Sequence, residues 1–273
     1  MRIIINNDTQ ETYMHREYTP YERVAEAAYE IVDATYSATG NARVDALAEL
    51  YLPYHNGAHA RSVANTVWIL KDVVGLTPVE YGVAAASAAA HDVICEIDLI
   101  DGTNERLSAE WIMQEMARYP EDITHVQRNI AALAILGTQY VKDGFMMQQN
   151  AVVQAYPTKR AELVAHVVAA ADLGKLYAPD GPLAAHRYYE ETVVGASGKT
   201  PSLEGFLDYQ RGQISFLDGG YRYPTKEIEW ALSEQKPAVM AYSLSLLADL
   251  EQGRVDTWQG VIDRDIAFMQ QAA

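Results

Sequence analysis

The sequence predicts an all-α fold, an irregular helical bundle, on three observations. Apolar residues recur at three- and four-residue intervals along most of the chain, strict two-residue alternation is nearly absent, and glycine- or proline-containing turns separate the periodic stretches. With 273 residues, 49% of them hydrophobic and 21% charged, the chain is long enough to bury a sizeable core and far from a disordered composition. No repeat, low-complexity tract or composition shift forces a boundary. The expectation is one domain over residues 1–273, with a core at about 20–220 and the helices of 221–273 packed on it.

The helical spacing begins at Tyr21 to Tyr36, continues in a short run at Ala46 to Leu50, and resumes at Ala60 to Val74 and Pro78 to Ile94. Gly75-Leu-Thr-Pro78 parts the last two, because glycine ends helices and proline starts them. Glu105 to Ala117 follows the turn Asp101-Gly-Thr-Asn104, with Asn104 as the expected cap and Glu105 in the first turn, where a carboxylate favours the helix dipole. Ile123 to Leu136 follows Tyr119-Pro-Glu-Asp122, and Lys159 to Leu176 stops at Ala178-Pro-Asp-Gly-Pro182. Leu203 to Leu217 lies between breaks at Gly195 to Pro201 and Asp218-Gly-Gly-Tyr221; Glu227 to Leu250 and Asp256 to Met269 complete the helices. The most apolar stretch, Tyr81 to Leu99, is interrupted by His91-Asp92 and Glu96, so it reads as a buried core helix and not a membrane span.

The formal net charge of -16 argues against nucleic acid or an anionic membrane as a partner, since either needs a basic face with counterions to release. Cys95 is the only cysteine, which precludes an intramolecular disulfide and suits a reducing compartment, the cytoplasm. The apolar run in Met1-Arg-Ile-Ile-Ile-Asn-Asn-Asp is too short for a signal-peptide core.

Chemistry concentrates in a few places. Tyr54-His-Asn-Gly-Ala-His59 sets two histidines four residues apart, which on a helix would share a face. His91-Asp92 ends the alanine-rich run Ala84-Ala-Ala-Ser-Ala-Ala-Ala90, and Asp172 ends Val167-Val-Ala-Ala-Ala-Asp172. Small side chains let helices approach closely, so these ionisable groups are buried or line a cleft, where a charge must be paired or bind a metal. Imidazoles with carboxylates suit zinc, manganese, iron, cobalt or magnesium, one ion or two. A bound divalent ion acidifies water and polarises a phosphoryl oxygen, the two requirements of phosphoester hydrolysis. His55, not needed as a ligand, would donate the proton to the leaving oxygen as an imidazolium. His15, His125, His166 and His186 carry no such context and are read as hydrogen-bonded core or surface residues.

Over roughly Tyr51 to Leu217 these residues resemble the HD superfamily of metal-dependent phosphohydrolases, and Tyr54-His-Asn-Gly-Ala-His59-Ala resembles its cyclic-nucleotide phosphodiesterase branch. The resemblance implies an HD-type helical fold, metal ligation by His59, His91, Asp92 and Asp172 with Asp92 bridging to a second ion, and His55 as the proton donor. Asn104-Glu105-Arg-Leu-Ser108-Ala109 resembles a motif of small bacterial HD phosphohydrolases, which implies a catalytic place for Glu105, orienting water or beside a second metal. Gln213-Ile-Ser-Phe216 is similar to the phosphodiesterase element whose glutamine bonds the purine edge and whose phenylalanine stacks on the ring. With Asn56, these are the expected substrate contacts.

Cys95 stands where phosphodiesterases carry a histidine three residues after His-Asp, which puts binuclear action in question. Lys142 or Arg61 would have to contact phosphate in place of a histidine that small HD phosphohydrolases carry after the Thr138 region. The expected reaction is hydrolysis of a phosphoester in a nucleotide-like small molecule. Its alternatives are a nucleoside mono- or triphosphate phosphohydrolase, a catalytically silent HD module that binds a nucleotide or a partner protein, and a purely structural helical protein. A homo-oligomer is compatible with all of them.

Overall fold

The computed structural model describes residues 2–5, 12–15, 18–37, 50–95, 102–143, 146–197 and 201–272. The fold is all-α, with helices α1 (Pro20–Thr35), α2 (Gly57–Val73), α3 (Pro78–Ala90), α4 (Thr103–Met116), α5 (His125–Leu136), α6 (Lys159–Asp172), α7 (Gly181–Ser197), α8 (Leu203–Ser215), α9 (Lys226–Leu232), α10 (Lys236–Glu251) and α11 (Trp258–Ala272). Three helix starts are written in the same local code. Thr19, Thr77 and Thr124 cap α1, α3 and α5, and Glu22, Glu80 and Gln127 return the bond to the cap backbone. Among the described residues strand pairing is confined to β1 (Arg2–Ile5) with β2 (Thr12–His15), β3 (Tyr36–Ser37) with β4 (Leu50–Tyr51), and β5 (Tyr140–Asp143) with β6 (Met146–Gln149).

Several boundaries differ from the sequence reading. The β5–β6 hairpin was not expected, and of the short run Ala46 to Leu50 only Leu50 falls among the described residues, where it is extended. The stretch after Ala178-Pro-Asp-Gly-Pro182 is the seventeen-residue helix α7. Pro182 sits at its second position, where the missing N–H needs no partner, so the proline starts a helix there as well as closing a turn. Glu227 to Leu250 is two helices, broken at Ser233 to Gln235 ahead of Pro237 in the first turn of α10. Gly102, with φ 79°, is the residue before α4; Asn104 lies inside the first turn and is not the cap. Helix α8 ends in a π-helical turn, Phe216–Gly220.

The centre of the bundle is α3, packed by α1, α2, α5 and α6. Ala84, Ala86, Ala88, Ala89 and Ala90 are fully buried, and Ser87 is satisfied by the Val83 carbonyl at 2.8 Å. A helix apolar around its circumference must be enclosed, and alanine lets its neighbours close in. The main core runs from Val24 through Val168 to Val239, so α9 and α10 join it; Tyr189, Phe206, Leu246 and Val261 form a smaller cluster among the last helices. Among the described residues no helix is long and apolar enough to cross a membrane.

Two polar devices set the helices relative to one another. At the start of α3, Glu80 receives Arg160 of α6 on both carboxylate oxygens, and Arg160 also donates to the Gly75 carbonyl at 3.0 Å. Eleven or twelve residues later the same two helices end at His91 and Asp172, so they run parallel with their ends in register. Among the C-terminal helices, His186 of α7 faces Asp265 of α11 at 2.5 Å and Gln210 of α8 at 3.1 Å, Tyr242 of α10 donates to Asp265 at 2.5 Å, and Gln210 donates to the Ser243 carbonyl at 3.3 Å.

Arg160 and the Thr77 cap hold the Glu80 carboxyl, against the upward push of its burial, at a pKa of about 2 in place of the ordinary 4.5. A depressed carboxylate pKa contributes stability above the unfolded value, and that stability is lost as pH falls from about 4.5 toward 2. Glu80→Gln therefore lowers the melting temperature at pH 7, by an amount corresponding to roughly 1 kcal/mol for a partly exposed pair. The gap between variant and parent narrows below about pH 4.5 and closes toward pH 2. A gap independent of pH from 7 to 2.5 in thermal melts would rule out this role.

Candidate metal centre

The segment before α2 brings the first ligand into place. Asn56 caps α2: its Oδ1 accepts from Ala58 N at 2.9 Å and His59 N at 3.4 Å, while its Nδ2 donates to the Leu52 carbonyl at 3.1 Å. Both ends of its amide are occupied by bonds that position α2, and Asn56, expected as a substrate contact, is not among the residues lining the cavity described below. His55 precedes the helix, so the two histidines are not neighbours along one helical face as their spacing suggested. Their rings lie 5.7 Å apart because the Tyr54 and His55 N–H groups both donate to Glu191 Oε2 at 3.0 Å. At Gly57, any side chain would collide with the Asp33–Arg61 ion pair that crosses the first turn of α2.

Helix α3 delivers the next pair. His91 is its C-terminal cap, and its Nδ1 donates to the Ala88 carbonyl at 2.7 Å, which fixes the tautomer and leaves Nε2 to face the interior. Asp172 is the last residue of α6. Two residues on, Gly174 packs on Thr66 of α2, where a Cβ would come within 2.7 Å of the threonine side chain, so the end of α6 can approach α2 closely.

These three helix ends meet at one point. His59 Nε2 and His91 Nε2 are 3.2 Å apart, and Asp172 Oδ1 lies 3.2 Å from the first and 3.3 Å from the second. Asp92 Oδ2 lies 2.9 Å from His91 Nε2 and 3.5 Å from His59 Nε2, and it is buried and accepts no well-aligned hydrogen bond. Ligands held about 2.1 Å from one ion at near-right angles are separated by about 3 Å, the spacing found. The donor set therefore fits a metal: His59, His91 and Asp172 could hold one, and Asp92 faces the same point.

The electrostatics agree. Burial depresses the His59 pKa, whereas at His91 the carboxylates of Asp92 and Asp172 outweigh burial and hold the imidazolium. Those histidines in turn overcome the burial of the two aspartates, keeping Asp92 at about 2 and Asp172 well below the usual carboxylate range. The centre thus demands positive charge, which a proton supplies in part. Asp172 is further oriented from behind: Gln149 Nε2 donates to its Oδ2 at 3.2 Å, and Tyr221 O–H donates to Gln149 Oε1 at 3.0 Å.

The centre opens into a cavity of about 780 Å³. His55, His91, Asp92, Asp172, Glu105, Gln213 and Phe216 all line it, so the expected proton donor, three expected ligands and three other expected site residues share one space. Burial, followed by Asp92 and Asp172, raises the Glu105 pKa. Phe216 belongs to the core as well, packed 5.6 Å from Tyr221 and 6.5 Å from Tyr140 between ring centroids. Arg61 is engaged by Asp33 and lies over the Tyr29 ring, outside the cavity lining, and the Lys142 side chain lies outside the described residues. Among the described residues the lysine that lines the cavity is Lys175, paired with Asp180 at 2.7 Å.

No protein family, curated protein or solved structure matches the chain. The arrangement of helices with a buried His/Asp cluster is compatible with an HD-type fold.

Sequence reasoning missed Glu191, Gln149, Tyr140 and Tyr188. For α7 there was a signal: Ala184, Tyr188 and Glu191 follow helical spacing, so Glu191 is a carboxylate on an apolar face, while Glu190 beside it turns outward to Arg187. Gln149 lies in a short hairpin with no local motif. His186, set aside as a core residue, is one, fully buried between Asp265 and Gln210; His166 likewise faces the Ala151 carbonyl at 3.0 Å.

Removing the support behind Asp172 tests the centre without touching a ligand. Gln149→Leu is expected to weaken manganese or zinc affinity about 10- to 100-fold. Titration calorimetry against a competing chelator reads the change, and unaltered affinity in the folded variant would show that Gln149 does not orient Asp172.

Proposed function

We propose that the chain is a metal-dependent phosphohydrolase of the HD type, acting on a phosphoester of a nucleotide-like small molecule. The observation that carries this reading is the convergence of His59 Nε2, His91 Nε2 and Asp172 Oδ1 on one buried point beside Asp92, with His91 Nδ1 already committed to a backbone carbonyl. When bound, a divalent ion supplies Lewis acidity toward a phosphoryl oxygen and a water acidic enough to attack at neutral pH.

The chain's own residues supply the rest. His55 Nδ1 is hydrogen-bonded to Glu191 Oε1, which turns Nε2 toward the cavity, 4.0 Å from Asp92 Oδ2. Burial opposes the His55 imidazolium, but Cys95, Asp92 and Glu191 outweigh it, and its pKa stands well above the ordinary 6.5. His55 therefore holds a proton at the cavity wall for the leaving oxygen. Glu105, whose pKa burial raises, faces the same space and orients water or phosphate. Gln213 and Phe216 offer an amide and an aromatic face to a planar base.

Charge favours a diester over the mono- or triphosphate alternative. Among the described residues the lining holds Lys175 as its lysine, paired with Asp180, and no arginine, so a substrate with a single negative charge costs least to bring in.

The test is release of product from cyclic nucleotides, nucleoside monophosphates and triphosphates, with protein stripped of metal and reloaded with manganese, magnesium, zinc, iron or cobalt. Turnover should require metal and vanish in Asp92→Ala. His55→Ala should retain its metal and lose about 10²- to 10⁴-fold in kcat. Nucleotide binding without turnover under every metal would instead support the silent module.

A further inference from the structure

Beside the His/Asp centre lies a second group of potential ligands with different chemistry. His55, Cys95 and Glu191 each offer a ligand atom, and the three atoms lie within 4.8 Å of one another. The set is held rigidly. Cys95 is 7% exposed and Glu191 3%, the Cys95 N–H donates to the Tyr36 hydroxyl at 2.7 Å, and the preceding Ile94 N–H donates to Ser108 Oγ at 3.1 Å. Glu191 spends Oε2 on the Tyr54 and His55 N–H groups, so Oε1, facing His55 Nδ1, is its remaining donor. All three residues line the large cavity, which gives an ion a way in, and the bare Asp92 Oδ2 sits 4.0 Å from His55 on the side of the first centre.

We propose that His55, Cys95 and Glu191 form a second cation site, selective for thiophilic divalent ions such as zinc and cobalt, whose occupation inhibits the enzyme. An imidazole, a carboxylate and a thiolate offset most of a divalent charge, and the sulfur discriminates against magnesium and manganese, which the nitrogen and oxygen donors of the first centre accept. Binding releases two protons, one from the Cys95 thiol and one that His55 Nδ1 shares with Glu191. A metal-bound imidazole cannot also be an imidazolium, so His55 ceases to be a proton donor. The inhibition rests on the hydrolytic reading above; the binding does not.

Cobalt(II) tests the site directly, because Cys95 is the only cysteine and any thiolate-to-cobalt charge-transfer absorption must come from it. The stripped protein should bind two equivalents and show that near-ultraviolet band. Asp172→Asn should lose the first equivalent and keep the band; Cys95→Ala should lose the band and keep the first equivalent; Glu191→Gln should shift its midpoint to higher cobalt. In the manganese-loaded enzyme, added zinc should inhibit the parent and leave Cys95→Ala unaffected. Folded parent protein with excess cobalt and no thiolate band, or a band unchanged in Glu191→Gln, overturns the site. A band with no turnover on any phosphoester retains the site and removes the hydrolytic reading. Equal zinc inhibition of parent and Cys95→Ala overturns the regulatory role.

Discussion

Asp92 and Asp172 face His59 and His91 in the interior, where a charge without a partner costs several kcal/mol. That cluster governs much of the architecture. It requires three helix termini, the start of α2 and the ends of α3 and α6, to meet with their donors 3.2 to 3.3 Å apart. The parallel course of α3 and α6 is fixed at one end by Glu80 with Arg160 and at the other by His91 with Asp172. Register therefore comes from two polar contacts a helix-length apart, while the apolar surface between them supplies adhesion without choosing a register.

Small residues make the convergence sterically possible. The buried alanines of α3 and α6 bring backbones together, Gly174 lets the end of α6 touch Thr66, and Gly57 leaves room for Asp33 and Arg61 across the start of α2. A larger core would have pushed the helix ends apart and separated the donors beyond the reach of one ion. The alanine-rich composition of these helices is thus part of the chemistry of the centre as well as of the core.

How much was legible follows from how local each signal is. The helical class, the burial of α3 and the gathering of His59, His91, Asp92 and Asp172 could be read because periodicity and a charge ending an alanine-rich run are local patterns. The position of His55 was misjudged because Asn56, which looked like a substrate contact, stops the helix short of it. Helix α7 was hidden by Pro182, which at a helix start reads like a turn, and Glu191 was hidden with it. Gln149 and Tyr221 could not have been found: they come from a short hairpin and from the segment after the π-helical turn, and only the fold brings them behind Asp172.

The late helices are joined to the site by the same residues that anchor them. His186 holds α7 to α11 through Asp265 and to α8 through Gln210, all in the interior. One and a half turns further along α7, Glu191 grips the backbone of Tyr54 and His55, and one turn beyond Gln210 on α8, Gln213 reaches the cavity. A rigid polar cross-brace behind α7 and α8 therefore sets the wall opposite the His/Asp centre, and the aromatic residues of that wall, Tyr188 and Phe216, are placed by the brace. Helices α2, α3 and α6 gather the charges. The later helices fix their distance from whatever occupies the cavity, which is why they belong to the site although they carry none of the ligands of the His/Asp centre.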